Sequence, residues 1–183
     1  MNKTFKRILS ASFICFLLLS AFTACSKDDE GQPEKKVATV EVAYRITLTD
    51  ATKSALQDAF DLTVSYWNMD GELVSMPFSS GVEWTMALSL IEFPADFGIG
   101  IRITPKENLS AFTQETVRDL DLSYSVSANS MAQDGEILGK GVSRMGVVKK
   151  KDMPVLEFAE SDNPVITGEL YYKVDKEGYI VSK

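Results

Sequence analysis

The stretch that decides the fold class is Val117-Arg118-Asp119-Leu120-Asp121-Leu122-Ser123-Tyr124-Ser125-Val126-Ser127-Ala128. Leu120, Leu122, Tyr124 and Val126 fall on one side of an extended chain, and Asp119, Asp121, Ser123, Ser125 and Ser127 on the other. A strand sends successive side chains to opposite faces, so a period of two describes one face in a core and the other in water. A helix would scatter the same residues around its circumference.

The period recurs on both sides. Val40, Val42, Tyr44, Ile46 and Leu48 alternate with polar or small residues. Phe60, Leu62, Val64 and Tyr66 form the next apolar row, with Asp61, Thr63, Ser65 and Trp67 on the opposite face. Asn68-Met69-Asp70-Gly71 carries Asp-Gly turn chemistry and predicts a hairpin returning through Glu72 to Phe78. Val82 to Leu90 alternates again and turns Trp84 inward, and Phe97, Ile99, Ile101 and Ile103 follow with Gly98 and Gly100 opposite. Glycines inside a strand predict a bulge or another group approaching closely.

Asp134-Gly135 opens a further strand from Glu136 to Met145. Val155 to Ala159 is short and apolar, and Val165 to Val174 and Tyr179 to Val181 complete the set. Thr49 to Ala59 interrupts the alternation and is expected to hold one short helical turn capped by Thr49 or Asp50. A polar connection, Lys106 to Thr116, is expected to hold another around Ala111 and Phe112. About eight to ten short strands with no long helix between them predict an all-β fold. The expectation is an antiparallel β-sandwich, immunoglobulin-like in architecture only, since the Cys, Trp, Cys framework of antibody domains is absent.

The first residues read differently. Lys3, Lys6 and Arg7 precede the apolar run Ile8 to Ala24, the pattern of a secretory signal. A membrane span needs about 20 consecutive apolar residues, whereas this run is shorter and includes Ser10, Ser12, Ser20 and Thr23. It ends in Phe22-Thr23-Ala24-Cys25, which resembles the lipobox of bacterial lipoproteins, with Phe22 where that family favours Leu. The resemblance implies cleavage after residue 24 and acylation of Cys25, with palmitate among the attached chains. Ser26-Lys27-Asp28-Asp29-Glu30 is similar to the acidic tag of Bacteroidetes-type surface lipoproteins, which implies an outer-membrane protein facing outward, display on the periplasmic face being the alternative. The expected organisation is a signal peptide over 1–24, a lipidated Cys25 with a flexible tether to residue 36, and one domain over 37–183. The tether, free of apolar residues after Cys25, spans at most about 35 to 40 Å.

Loss of residues 1–24 removes Lys3, Lys6 and Arg7 but no acidic residue, which takes the net charge from −7 to about −10. Such a balance excludes binding driven by phosphate neutralisation, hence nucleic acid, and electrostatic docking on anionic lipid. A hydrophobic fraction of 45% is enough for a packed core. Cys15 leaves with the signal, so packing must stabilise the domain without disulfides.

There is no histidine. Together with the absence of a mature thiol, this excludes Ser-His-Asp and Cys-His catalysis and the usual zinc sites. Gly98-Ile99-Gly100-Ile101 and Gly139-Lys140-Gly141 lack the third glycine and following helix of a phosphate loop. Lys149-Lys150-Lys151 reads as a solvated loop. Asp119 and Asp121 lie about 7 Å apart on one strand face, the separation used by glycoside hydrolases, although acidic residues on an outer face are ordinarily just solvated. Asn68, Asp70 and Glu72, and likewise Glu160, Asp162 and Asn163, offer oxygen ligands for calcium but fit turns equally well; no cofactor is expected. Trp67 and Tyr171 sit opposite their strands' apolar rows, where exposed rings can stack on sugars or anchor a protein. The expected function is a non-enzymatic binding or accessory module with an envelope protein partner. The alternatives are a glycan-binding lipoprotein using Trp67 or Tyr171 and, behind it, a carboxylate-based glycoside hydrolase.

Overall fold

The computed structural model describes residues 35–78 and 81–181. The signal peptide expected over 1–24, the expected acylation site Cys25 and the expected tether up to residue 34 lie outside the described residues. In chain order the elements are β1 (Val37–Leu48), α1 (Asp50–Asp58), β2 (Phe60–Trp67), β3 (Leu73–Pro77), β4 (Glu83–Leu90), β5 (Ala95–Pro105), β6 (Val117–Ala132), β7 (Ile137–Pro154), α2 (Val155–Ala159), β8 (Ile166–Val174) and β9 (Ile180–Val181). Two antiparallel sheets form, one ordered β4-β1-β6-β7 and the other β3-β2-β5-β8-β9. The fold is the expected all-β sandwich.

The alternation sets the core. On β6 every second residue from Leu120 to Ala132 is buried, and the same holds for Val40 to Leu48 on β1, Phe60 to Tyr66 on β2 and Phe97 to Ile103 on β5. Ser130 joins this row as a buried hydroxyl, satisfied by donating to the Gly178 carbonyl at 2.8 Å. Trp84 turns inward as expected and is partly buried, its ring 5.6 Å from that of Tyr66.

Four local expectations need correction. Thr49 does cap α1, its Oγ1 accepting from the Thr52 N–H, but the helix runs nine residues rather than one turn. It is held from outside, because the buried Thr52 hydroxyl accepts from the Asp121 N–H at 2.6 Å and donates to its carbonyl at 3.0 Å. Lys106 to Thr116 contains no helix; Asn108 Oδ1 accepts from the Ser110 N–H, a local bond that competes with helical pairing. The strand expected to stop at Met145 continues to Pro154, so Lys149 to Lys151 are exposed strand residues on β7 rather than a loop. Val155 to Ala159 is helical, a distinction that four apolar residues around Glu157 cannot make by periodicity alone.

The start of β1, the β4–β5 connection, and the β2–β3, β6–β7 and β8–β9 turns gather at one end of the sandwich. Lys35 marks where the chain enters this end, paired with Asp134 and Glu136 of the β6–β7 turn. At the opposite end lie α1, the β5–β6 connection and α2.

Candidate functional site

Trp67 follows buried Tyr66 and therefore faces outward from the five-stranded sheet, and Tyr171 does the same on β8. The strand between them, β5, carries Gly98 and Gly100 at this level. Gly98 pairs with Tyr171, and Tyr66 with Ile99. With no side chain on β5 to separate them, the two rings meet edge to face, their centroids 4.7 Å apart and their planes at 84°. The sequence placed both rings on outer faces but not against each other.

The glycines receive the close approach their sequence predicts, and the approaching group is the Tyr171 side chain. A Cβ on Gly100 would stand 2.6 Å from the Tyr171 hydroxyl, and one on Gly98 would collide with the Tyr171 ring and the Leu170 carbonyl. Burial and then the nearby Glu169 carboxylate raise the Tyr171 hydroxyl above its ordinary pKa. Both aromatic residues are half-buried, the Tyr171 ring lying against the β5 glycines.

Underneath, a residue that looked like ordinary core in the sequence holds the row together. The Tyr44 hydroxyl accepts from the Gly98 N–H at 3.1 Å and donates to the Trp67 carbonyl at 3.3 Å. It bridges β2 and β5 one step beyond their last pair, Tyr66 with Ile99. No signal in the sequence separates Tyr44 from its apolar neighbours on β1.

The surroundings of the pair are mostly polar. Leu73 lies opposite Trp67, half exposed, while Ser65 and Ser75 share a hydrogen bond at 2.8 Å in the next row. Glu169 and exposed Arg102 continue the face on one side, and Asp96 and Lys173, 3.8 Å apart, on the other. No family model matches the chain, and neither a curated protein nor a solved structure does. Chemistry must therefore be read from the site itself.

Beyond Asp96 and Lys173 the face drops into a cleft of about 740 Å³ at the end of the sandwich where Lys35 enters. Its rim carries Asp70 of the β2–β3 turn and Glu92 of the β4–β5 connection, and its apolar wall is Met69 and Ile91, 69% and 71% exposed. Sequence reasoning did not find this cleft, which exists only because two distant loops meet.

The other candidates are explained locally. Asp119 Oδ1 accepts from the N–H of Asp152, which sits at φ 49° in a β7 bulge, while Asp121 faces Lys149 at 3.7 Å. They share one strand face, as expected, and each is engaged by a β7 partner. Asn68 Oδ1 accepts from the N–H groups of Asp70 and Glu72 and so shapes the hairpin turn. Among the described residues, no three acidic side chains, those of Glu160 and Asp162 included, converge closely enough to hold a metal ion. Gly139-Lys140-Gly141 lies where the β6–β7 register shifts, with Gly141 packed against the Asn129 side chain.

Proposed function

We propose that this chain is a non-enzymatic binding module, tethered to the outer membrane through acylated Cys25, whose ligand surface is the outer face of the five-stranded sheet. The observation that carries this reading is the half-exposed Trp67–Tyr171 pair, seated over a glycine gap and beside a cleft. Rigid rings with one wet face supply contact area at little entropic cost, which is why aromatic residues dominate binding hot spots. The lipobox-like Phe22 to Cys25 and the acidic residues after it support the anchoring half.

A second reading has its own observation. β7 is an 18-residue edge strand, on which Met145 and Val147 are 65% and 55% exposed. An unpaired edge with apolar side chains suits strand addition by a protein partner.

Labelled palmitate and site-specific photo-cross-linking test both halves in cells producing the full-length protein. Cys25→Ala should abolish label incorporation and release the protein from membranes; retained label would refute the anchor. A cross-linker at Ser65 or Leu73 should capture ligand, and one at Val147 should not. Capture at Val147 alone would move the ligand surface to the β7 edge.

A further inference from the structure

Resting on the binding reading above, we infer that the aromatic pair and the adjoining cleft form one site for a short segment of a neutral glycan. One sugar stacks on the ring of Trp67 or of Tyr171, which stand perpendicular and so offer two alternative faces, and the next is held in the cleft by hydrogen bonds to Asp70, Glu92, Asp96 and Lys173.

The two halves are contiguous. Asp96 lies two residues before Gly98 and Lys173 two residues after Tyr171, on the same sheet face, so each is about 7 Å from the aromatic row. They also line the cleft. Platform and cleft thus share a boundary, and a chain lying on one meets the other. The cleft's 740 Å³ falls within the roughly 300 to 1,000 Å³ typical of small-ligand sites.

The chemistry narrows the ligand. A sugar ring offers an apolar C–H face to an aromatic and a circumference of hydroxyls to polar groups. Carboxylates accept from hydroxyls in short, charge-assisted hydrogen bonds, and an ammonium donates to the remaining oxygens. Apart from half-exposed Leu73, the rings stand among Ser65, Ser75, Glu169 and Arg102, and the exposed Met69 and Ile91 belong to the cleft beyond. Such small apolar surfaces among polar groups are poorly suited to a large dry protein interface.

Charge then decides between classes of glycan. Asp70, Glu92 and Asp96 oppose the single Lys173, and among the described residues Asp70 and Glu92 take part in no ion pair. Such a rim repels uronic acids, sulfate esters and sialic acids and leaves neutral sugars. The carboxylates are spread around the rim rather than converged, which suits several hydroxyls better than one cation.

The test uses full-length protein in detergent micelles, with affinity electrophoresis and calorimetry. The neutral probes are dextran, mannan, xylan and a β-glucan; the acidic ones are polygalacturonate and chondroitin sulfate. At least one neutral polymer should bind, with little dependence on added salt, and the acidic polymers should not. Trp67→Ala should weaken binding at least about tenfold, the scale of one lost aromatic contact. Glu92→Gln with Asp96→Asn should weaken it roughly three- to tenfold. Both carboxylates are surface groups, so that double variant should melt like the wild type and report the site rather than the fold.

Loss in Trp67→Ala with no change in the carboxylate variant would overturn the cleft half and leave the aromatic face as a binding surface. Preference for an acidic polymer would overturn the charge argument, and salt-sensitive competition by polylysine would make the cleft a docking site for basic peptides instead. If no neutral polymer binds while a protein is captured at Ser65 or Leu73, the binding reading survives and this inference fails. If neither occurs, both fail.

Discussion

The Tyr44 hydroxyl, contributed by the four-stranded sheet, accepts a hydrogen bond from the Gly98 N–H of the opposite sheet at 3.1 Å. The same oxygen donates to the Trp67 carbonyl at 3.3 Å, so one buried phenol ties the floor of the aromatic row to the core. Burial pushes this hydroxyl up to about 12 from 10.0, with the Gly98 N–H opposing the rise. Because the folded pKa is raised, Tyr44 leaves stability intact below pH about 10, where both states keep the proton. Stability is then lost as the pH climbs toward about 12, because only the unfolded chain ionises there; two units correspond to about 2 to 3 kcal/mol. Tyr44→Phe should remove this alkaline loss while costing about 1 to 3 kcal/mol at neutral pH through the unpaired Gly98 N–H. Urea unfolding at neutral pH and at pH about 11 measures both effects. If variant and wild type lose stability in parallel between these pH values, the buried-phenol account fails.

Gly98 has a second constraint, from outside. Its φ of 155° is one that side chains rarely adopt, and a Cβ there would collide with the Tyr171 ring and the Leu170 carbonyl. Gly98→Ala should therefore cost more than about 2 kcal/mol, lowering the melting temperature by at least roughly 4 °C. It should also alter the near-ultraviolet circular dichroism of the Trp67–Tyr171 pair. Gly71 is the control: its φ is also positive, at 73°, but nothing lies within 4 Å of a Cβ built there. Gly71→Ala should cost only about 1 kcal/mol of backbone strain and leave the spectrum unchanged. Equal costs at the two positions would mean that the Tyr171 contact contributes nothing.

What could be read from the sequence divides along the same line as local and distant physics. The inner row of β6, the Asp70-Gly71 hairpin and the outward placement of Trp67 and Tyr171 all follow from a period of two plus turn chemistry, which are properties of neighbours in the chain. The meeting of Trp67 and Tyr171 depends on β5 lying between β2 and β8, a fact of sheet order that no spacing encodes. The cleft needs the loops of Asp70 and Glu92, twenty-odd residues apart, to arrive at one place. The errors at Val155 to Ala159 and in the extent of β7 arose where the pattern itself was ambiguous. Four apolar residues around Glu157 fit either structure, and Gly146 to Lys151 (GVVKKK) after Met145 carries no period of two to follow.

Asp119 and Asp121 separate a structural carboxylate from a merely solvated one. Asp119 Oδ1 takes the Asp152 N–H at 2.8 Å, an amide that the bulge leaves without a ladder partner, whereas Asp121 faces Lys149 at 3.7 Å across open solvent. Asp119→Ala should cost about 1 kcal/mol. Asp121→Ala should cost at most about 0.5 kcal/mol, as expected for an exposed ion pair. Chemical denaturation of the two variants decides the matter, and a larger loss for Asp121→Ala would contradict the assignment of the bulge to Asp119.

Thr52 presents the strongest case of a polar group holding an element in place. It is fully buried on α1, and its hydroxyl closes both the N–H and the carbonyl of Asp121, at 2.6 and 3.0 Å, from 69 residues away. Thr52→Val keeps the shape but leaves the Asp121 N–H of β6 unpaired, while the Asp121 carbonyl keeps the Thr49 N–H at 3.1 Å, and should cost about 1 to 3 kcal/mol. Thr52→Ser keeps the oxygen and loses one methyl, a cost nearer 1 kcal/mol. Hydrogen exchange at Asp121 supplies the readout that a simple packing defect would not move. The valine variant should lose protection at that one amide well before the rest of β6. If serine proves as damaging as valine, or if the Asp121 amide stays protected in both, then α1 is held by Ala55 and its apolar neighbours and not by the hydroxyl.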